Sequence, residues 1–150
     1  MRWRDMTRFC GERWIRTVAG YFKHTGDGVC AAFASASAAV GAAIEAQRHV
    51  ALSVRMGLAS GEAELRGDDY FGSVLNRAAR VMDAGHGGQI LVASSTASVL
   101  AGVELDDLGE RRLRDLSAPL RLFQVRADGL RVSFPALRTL ERSQATCLSN

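Results

Sequence analysis

The sequence predicts an α+β sandwich in which helices cover a sheet. Three observations carry that prediction. Two short β-type runs flank the turn signal Gly26-Asp27-Gly28, helix-type stretches follow at Ser35–His49 and Ser73–Ala84, and short apolar runs recur near the C-terminal end. The chain has 150 residues, 47% hydrophobic and 23% charged, which suits one domain with a modest core. That composition excludes whole-chain disorder and a collagen-like or low-complexity chain.

In chain order, Trp14, Ile15 and Val18 fall at helical spacing, and Gly20 breaks the pattern. Tyr21–Thr25 and Val29–Phe33 read as strands of a hairpin around Gly26-Asp27-Gly28. Ser35–His49 is an Ala-rich helix, with Val40, Ala43, Ile44 and Gln47 on one face and Ser35 or Ser37 as the N-cap. Leu52–Leu65 alternates in part and predicts a long strand broken by Gly61, followed by the polar loop Arg66–Asp69. Ser73–Ala84 is helical, with Val74, Ala78 and Val81 on one side and Gly85 as its C-cap. Gln89–Val92 is a buried strand, and Ser94–Leu100 is a short helix capped by Ser94 or Ser95. Val103–Leu108 and Leu120–Val125 are the last strands, giving the order β-β-α-β-α-β-α-β-β. Beyond Arg126 the pattern dissolves into a tail.

Several function classes are excluded at this level. The 19 Lys and Arg against 16 Asp and Glu leave a net charge of only +3, spread along the chain, so no nucleic-acid footprint is predicted. Cys10, Cys30 and Cys147 are far apart, with no CxxC pair, which fits a reducing compartment better than a disulfide or zinc framework. The uncharged stretch Gly28–Ile44 is too short and too rich in small residues to span a bilayer, and no signal peptide opens the chain. A cytoplasmic protein with no membrane partner is expected. P-loop, GxGxxG, HExxH and GxSxG patterns are absent, and His24, His49 and His86 share no metal-ligand spacing.

Two segments stand out chemically. In Phe22–Gly28, Asp27 sits at a glycine-flanked hairpin tip, where a carboxylate can approach a divalent cation that also binds phosphate oxygens. In Asp68–Arg80, Asn76 and Arg80 lie four residues apart on one helical face. A neutral donor beside a fixed guanidinium can orient a ribose and stabilise charge developing on a phosphate.

Together with the strand Arg55-Met56-Gly57-Leu58 and the pieces Leu108–Glu110, Leu113–Leu116 and Leu122–Val125, these segments resemble the class III nucleotidyl cyclases, in that family's order. The resemblance runs from about Gly20 to Leu137. It implies a ferredoxin-like cyclase-homology sandwich, an antiparallel-rich sheet covered by helices. It divides the chain into a residual N-terminal helix at 1–19, a catalytic domain at 20–126 and a linker or tail at 127–150. The implied activity is conversion of ATP to cyclic AMP and pyrophosphate. Asp27 would hold Mg²⁺ or Mn²⁺, Lys23 and Asp69 would read the adenine edge, Asn76 and Arg80 would serve catalysis, and Arg114 would touch the terminal phosphates. The family site spans a dimer interface, so a homodimer, or a heterodimer with another cyclase domain, is implied.

The resemblance also implies a loss. Family members open on a strand with an F-x-D-I-x-G-S/T-like motif that supplies a second metal-binding Asp, and nothing in residues 1–19 matches it. The alternative reading is therefore a catalytically silent cyclase-homology module that binds nucleotide or pairs with a cyclase.

Overall fold

The computed structural model describes residues 22–25, 28–67 and 69–140. The first hairpin pairs β1 (Phe22–Thr25) with β2 (Gly28–Ala31), antiparallel, with Lys23 opposite Cys30. Helix α1 (Ala36–His49) starts where Ser35 caps it, the Ser35 hydroxyl accepting from Ala38 N at 3.1 Å. Strand β3 (Met56–Leu58) leads to a second hairpin, β4 (Glu64–Arg66) and β5 (Asp69–Phe71). Helix α2 (Ser73–Ala84), β6 (Ile90–Ala93), the single turn α3 (Ser94–Ala97), β7 (Glu104–Arg111) and β8 (Leu120–Arg126) complete the order.

Four strands form the central sheet in the order β3-β6-β8-β7; β3 runs parallel to β6 and the other neighbours are antiparallel. The α+β class with an antiparallel-rich sheet under helices stands as expected. Strand β6 shows why it holds. Side chains alternate across a strand, so Ile90 and Val92 join Val40 and Ala43 of α1, while Leu91 and Ala93 join Val81 and Ala84 of α2. A strand covered on both faces reads as a continuous apolar run, and all four β6 residues are buried.

Among the described glycines, the closest backbone approach is at Gly57. A Cβ there would lie 2.3 Å from Met82 N and 2.9 Å from Ala78 O, so the middle of β3 rests directly on the α2 backbone. Only glycine permits that contact, and it fixes the height of α2 above the sheet. Gly72, with φ of +151°, turns the chain from β5 into α2.

The segment after β8 packs back on the domain. Arg138 N donates to Ala84 O at 2.9 Å, Leu140 N donates to Arg112 O at 3.1 Å, and Leu137 packs against the α2-side core. A buried amide pair anchors it further. Gln89 Nε2 donates to Gln124 Oε1 at 2.8 Å, and Gln124 Nε2 donates to Val132 O at 3.0 Å. Burying these amides is tolerable because each is hydrogen-bonded.

Several element predictions need correction. The stretch Leu52–Leu65 is not one strand; β3 ends at Leu58, and Glu64 opens the second hairpin. The Arg66–Asp69 loop is that hairpin's turn, with Arg66 opposite Asp69 and Gly67 at φ of +61°, so two strands more than predicted are present. The short helix ends at Ala97, and neither Ser94 nor Ser95 caps it, because Ala93 holds the N-cap position and the Ser95 hydroxyl accepts from Ser60 N at 3.3 Å. Strand β7 runs on to Arg111 through a bulge in which Leu108 and Gly109 oppose Leu122 alone. Gly85 is the C-cap of α2, but with φ of −91° and extended rather than left-handed.

Candidate active site

Helix α2 presents Asn76, Arg80 and Asp83 at i, i+4 and i+7, hence on one stripe, while Val81 and Ala84 anchor the helix in the core. Asn76 is exposed. The Arg80 side chain is only 20% exposed. Its Nη1 donates to Asp83 Oδ2 at 3.0 Å, and its Nη2 lies 3.5 Å from Asp115 Oδ2. The Arg80 Nε is shielded from solvent and has no hydrogen-bond acceptor among the described residues.

Arg114 arrives from the β7–β8 connection and meets the same two acids. Its Nη2 is 3.8 Å from Asp83 Oδ2, and its Nε is 3.7 Å from Asp115 Oδ2. Arg114 is 67% exposed, so this pairing is far looser than that of Arg80. Asp115 carries a φ of +62°, the one non-glycine residue with positive φ among the described residues.

The structure thus brings Arg80 and Arg114 together. The remaining expected residues lie elsewhere. Asp69 opens β5 opposite Arg66, is half-buried, and accepts from Tyr70 N at 2.9 Å through Oδ1. Lys23 stands on β1, and Asp27 lies outside the described residues, in the two-residue gap between the paired Thr25 and Gly28. The two hairpins are separate two-stranded sheets. On the second, the Arg66 guanidinium is held above its ordinary pKa by its hydrogen bond to Glu64, and it stacks over the Phe71 ring at 5.3 Å.

Sequence reasoning missed Asp83 and Asp115. The Arg80–Asp83 spacing of three was a readable signal on a helix. Asp115 had none, since its meeting with Arg80 comes from the fold of the β7–β8 connection over α2. Among the described residues, no three His, Cys, Asp or Glu side chains converge to hold a metal ion. No helix among them is long and apolar enough to cross a membrane.

Electrostatically, the cluster sets two guanidinium groups against two carboxylates at a helix surface. Guanidinium forks match carboxylate and phosphate oxygens alike, and here both are paired with carboxylates, so the cluster is formally neutral.

Comparison with known proteins bears on the fold and the family. The family model for the adenylate and guanylate cyclase catalytic domain matches residues 18–126. An uncharacterized protein of Mycobacterium tuberculosis is 36% identical over 133 residues, covering 84% of this chain and 47% of that protein. The chain therefore spans about half the length of that relative. A pH-sensitive adenylate cyclase of the same organism is 39% identical over 84 residues, 52% of this chain and 21% of that protein. Among solved structures, an adenylate/guanylate cyclase/hydrolase from Silicibacter pomeroyi superposes with a TM-score of 0.72 at 26% identity, covering 83% of each chain. The matched span and the shared fold lead to one conclusion: this chain belongs to the adenylate and guanylate cyclase catalytic-domain family.

Proposed function

We propose that this domain converts ATP to cyclic AMP and pyrophosphate in intracellular signalling, in the cytoplasm. The observation that supports the reading is the meeting of Arg114 with Arg80, which shares the α2 stripe with Asn76, around Asp83 and Asp115. In the reaction, the ribose 3′-oxygen forms a bond to the α-phosphorus and loses its proton. The bond from the α-phosphorus to the bridging oxygen breaks, and that oxygen's electron pair leaves with pyrophosphate.

Each residue has a distinct task in this reading. Arg80, rigid and largely enclosed, stabilises the charge that builds on the α-phosphate oxygens. Asn76 orients the ribose so that the 3′-oxygen lies in line with the bond that breaks. Arg114, exposed and adjustable, neutralises the terminal phosphates that become the leaving group. Lys23 donates to an adenine ring nitrogen, and Asp69 accepts from the exocyclic amine, so the pair selects ATP over GTP. Asp27 would hold Mg²⁺ or Mn²⁺, which in this chemistry polarises phosphate oxygens; a single carboxylate holds such an ion weakly.

The working unit in this reading is a dimer. Asp27 of one protomer serves Lys23, Asp69, Asn76 and Arg80 of its partner, and a C2 homodimer carries two equivalent sites. A heterodimer with another cyclase domain satisfies the same geometry.

The test is cyclic AMP formation by the purified chain with ATP and Mn²⁺. Replacing Arg80 by Ala should cut turnover about a hundredfold, as loss of one charge-stabilising donor does. Asn76→Ala should lower turnover while leaving ATP binding in place. A folded chain that binds ATP and forms no cyclic AMP under any divalent cation would overturn the reading and leave a silent nucleotide-binding module.

A further inference from the structure

Both acids of the arginine cluster share one oxygen between two guanidinium groups. Asp115 Oδ2 lies 3.5 Å from Arg80 Nη2 and 3.7 Å from Arg114 Nε. Asp83 Oδ2 lies 3.0 Å from Arg80 Nη1 and 3.8 Å from Arg114 Nη2. An anionic oxygen lodged between two guanidinium forks is the position a phosphate oxygen would take.

The two acids are not equivalent. Asp83 rides on α2 three residues from Arg80 and makes a true hydrogen bond to it, so it is a fixed part of the helix surface. Asp115 is 61% exposed and sits beyond hydrogen-bond distance from both arginines. Its backbone is left-handed, with φ of +62°. That conformation is native to glycine and tolerated by Asp and Asn, so a carboxylate stands here at the expense of an easier residue.

Arg80 is also under-used. Its Nε is shielded and unpartnered, so the guanidinium retains a donor that neither acid takes up.

We propose that Asp115 is a built-in counter-ion that occupies the phosphate position between Arg80 and Arg114, and that the phosphates of the nucleotide must displace it to bind. This rests on the assignment of both arginines to the phosphates. Displacement is feasible because an exposed, loosely spaced ion pair is weak and shares its charge with solvent. Asp83 stays in place and keeps Arg80 extended, acting as a positioning residue. Asp115 thereby sets how strongly the site holds pyrophosphate and lowers retention of that product.

The experiment is calorimetric titration of the purified chain with inorganic pyrophosphate in the absence of divalent cation. Asp115→Asn keeps the shape and the left-handed tolerance, and Asp115→Gly removes the side chain and relaxes the backbone. Both should bind pyrophosphate more tightly than the parent chain, by about fivefold for the loss of one competing exposed charge. The gain should vanish when Arg114→Ala is added to either variant. Equal or weaker binding in both variants would overturn the proposal, as would no pyrophosphate binding in any of them. Cyclic AMP formation is scored separately. Tighter pyrophosphate binding without cyclic AMP upholds the counter-ion role and removes the cyclase reading. Cyclic AMP without the Asp115 effect does the reverse.

Discussion

The central sheet with α2 and the two small hairpins are built to opposite specifications. Every residue of β6 is buried, and Gly57 lies against the α2 backbone with no room for a methyl group. Every residue of β4 is exposed, and Leu65 and Phe71 of the second hairpin present apolar surface to solvent. Arg80 belongs to the first region, whereas Lys23 and Asp69 stand on hairpins of two strands each. Two-stranded hairpins gain little stability on their own. The lesson is a division of labour. Under the proposed function, Arg80, which would meet developing charge, sits on a packed element where its position costs no reorganisation, and Lys23 and Asp69, which would read the base, sit on elements that a partner surface could complete.

The contrast can be broken most severely in the core. Leu91→Ala removes a fully buried side chain between α2 and β8 and should cost about 2–5 kcal/mol in urea unfolding. Gly57→Ala should cost about 1–3 kcal/mol, because the added methyl group meets backbone atoms of α2, which cannot rotate aside. A Gly57→Ala chain as stable as the parent would show that α2 is not seated on β3 as described.

The hairpin side should respond weakly in stability and clearly in association. Leu65→Ser removes an exposed apolar side chain, so unfolding free energy should stay within about 0.5 kcal/mol of the parent. If the hairpin faces a partner, sedimentation should show a weakened dimer. A large loss of stability would mean that the hairpin belongs to the core after all.

The smallest effect is expected at the far edge of the sheet. Arg121 donates to both Asp107 carboxylate oxygens through Nε, at 3.1 and 3.0 Å, and holds that carboxyl below its ordinary pKa, helped by the Gly109 amide. A depressed folded pKa gives stability that is present above the unfolded value of about 3.9 and is lost as pH falls through the folded value. Arg121→Gln should therefore lower neutral-pH stability slightly, flatten the fall of stability below about pH 4 by the same amount, and match the parent once Asp107 is protonated. An unchanged acid limb would mean that this exposed pair carries nothing.

The same contrast explains what the sequence made legible. Helix α1 was readable because Ser35 caps it and Val40, Ala43 and Ile44 recur at helical spacing, and β6 was readable as an unbroken apolar run. The second hairpin was not, because its strands are exposed on all of β4 and lack the alternation that burial imposes, so Gly67-Asp68 read as a loop rather than a turn. The end of β7 was hidden by Gly109, which marks a bulge and not a stop. Helical spacing was enough to put Asn76 and Arg80 on one face of α2, and resemblance alone pointed to Lys23, Asp27, Asp69 and Arg114, of which the structure brings only Arg114 to Arg80. Asp115 was not, because its meeting with Arg80 is a tertiary contact between a connection and a helix, with no local spacing to announce it.

The division of labour between chains is tested most directly by mixing two disabled variants. Asp27→Ala and Arg80→Ala are each expected to form little cyclic AMP alone with ATP and Mn²⁺. Mixed in equal amounts, half of the dimers pair one of each, and each such dimer carries one intact site, so activity should return to about a quarter of the parent level. Cyclic AMP that stays at the level of the separate variants, while sedimentation shows mixed dimers, would contradict a site assembled from two chains.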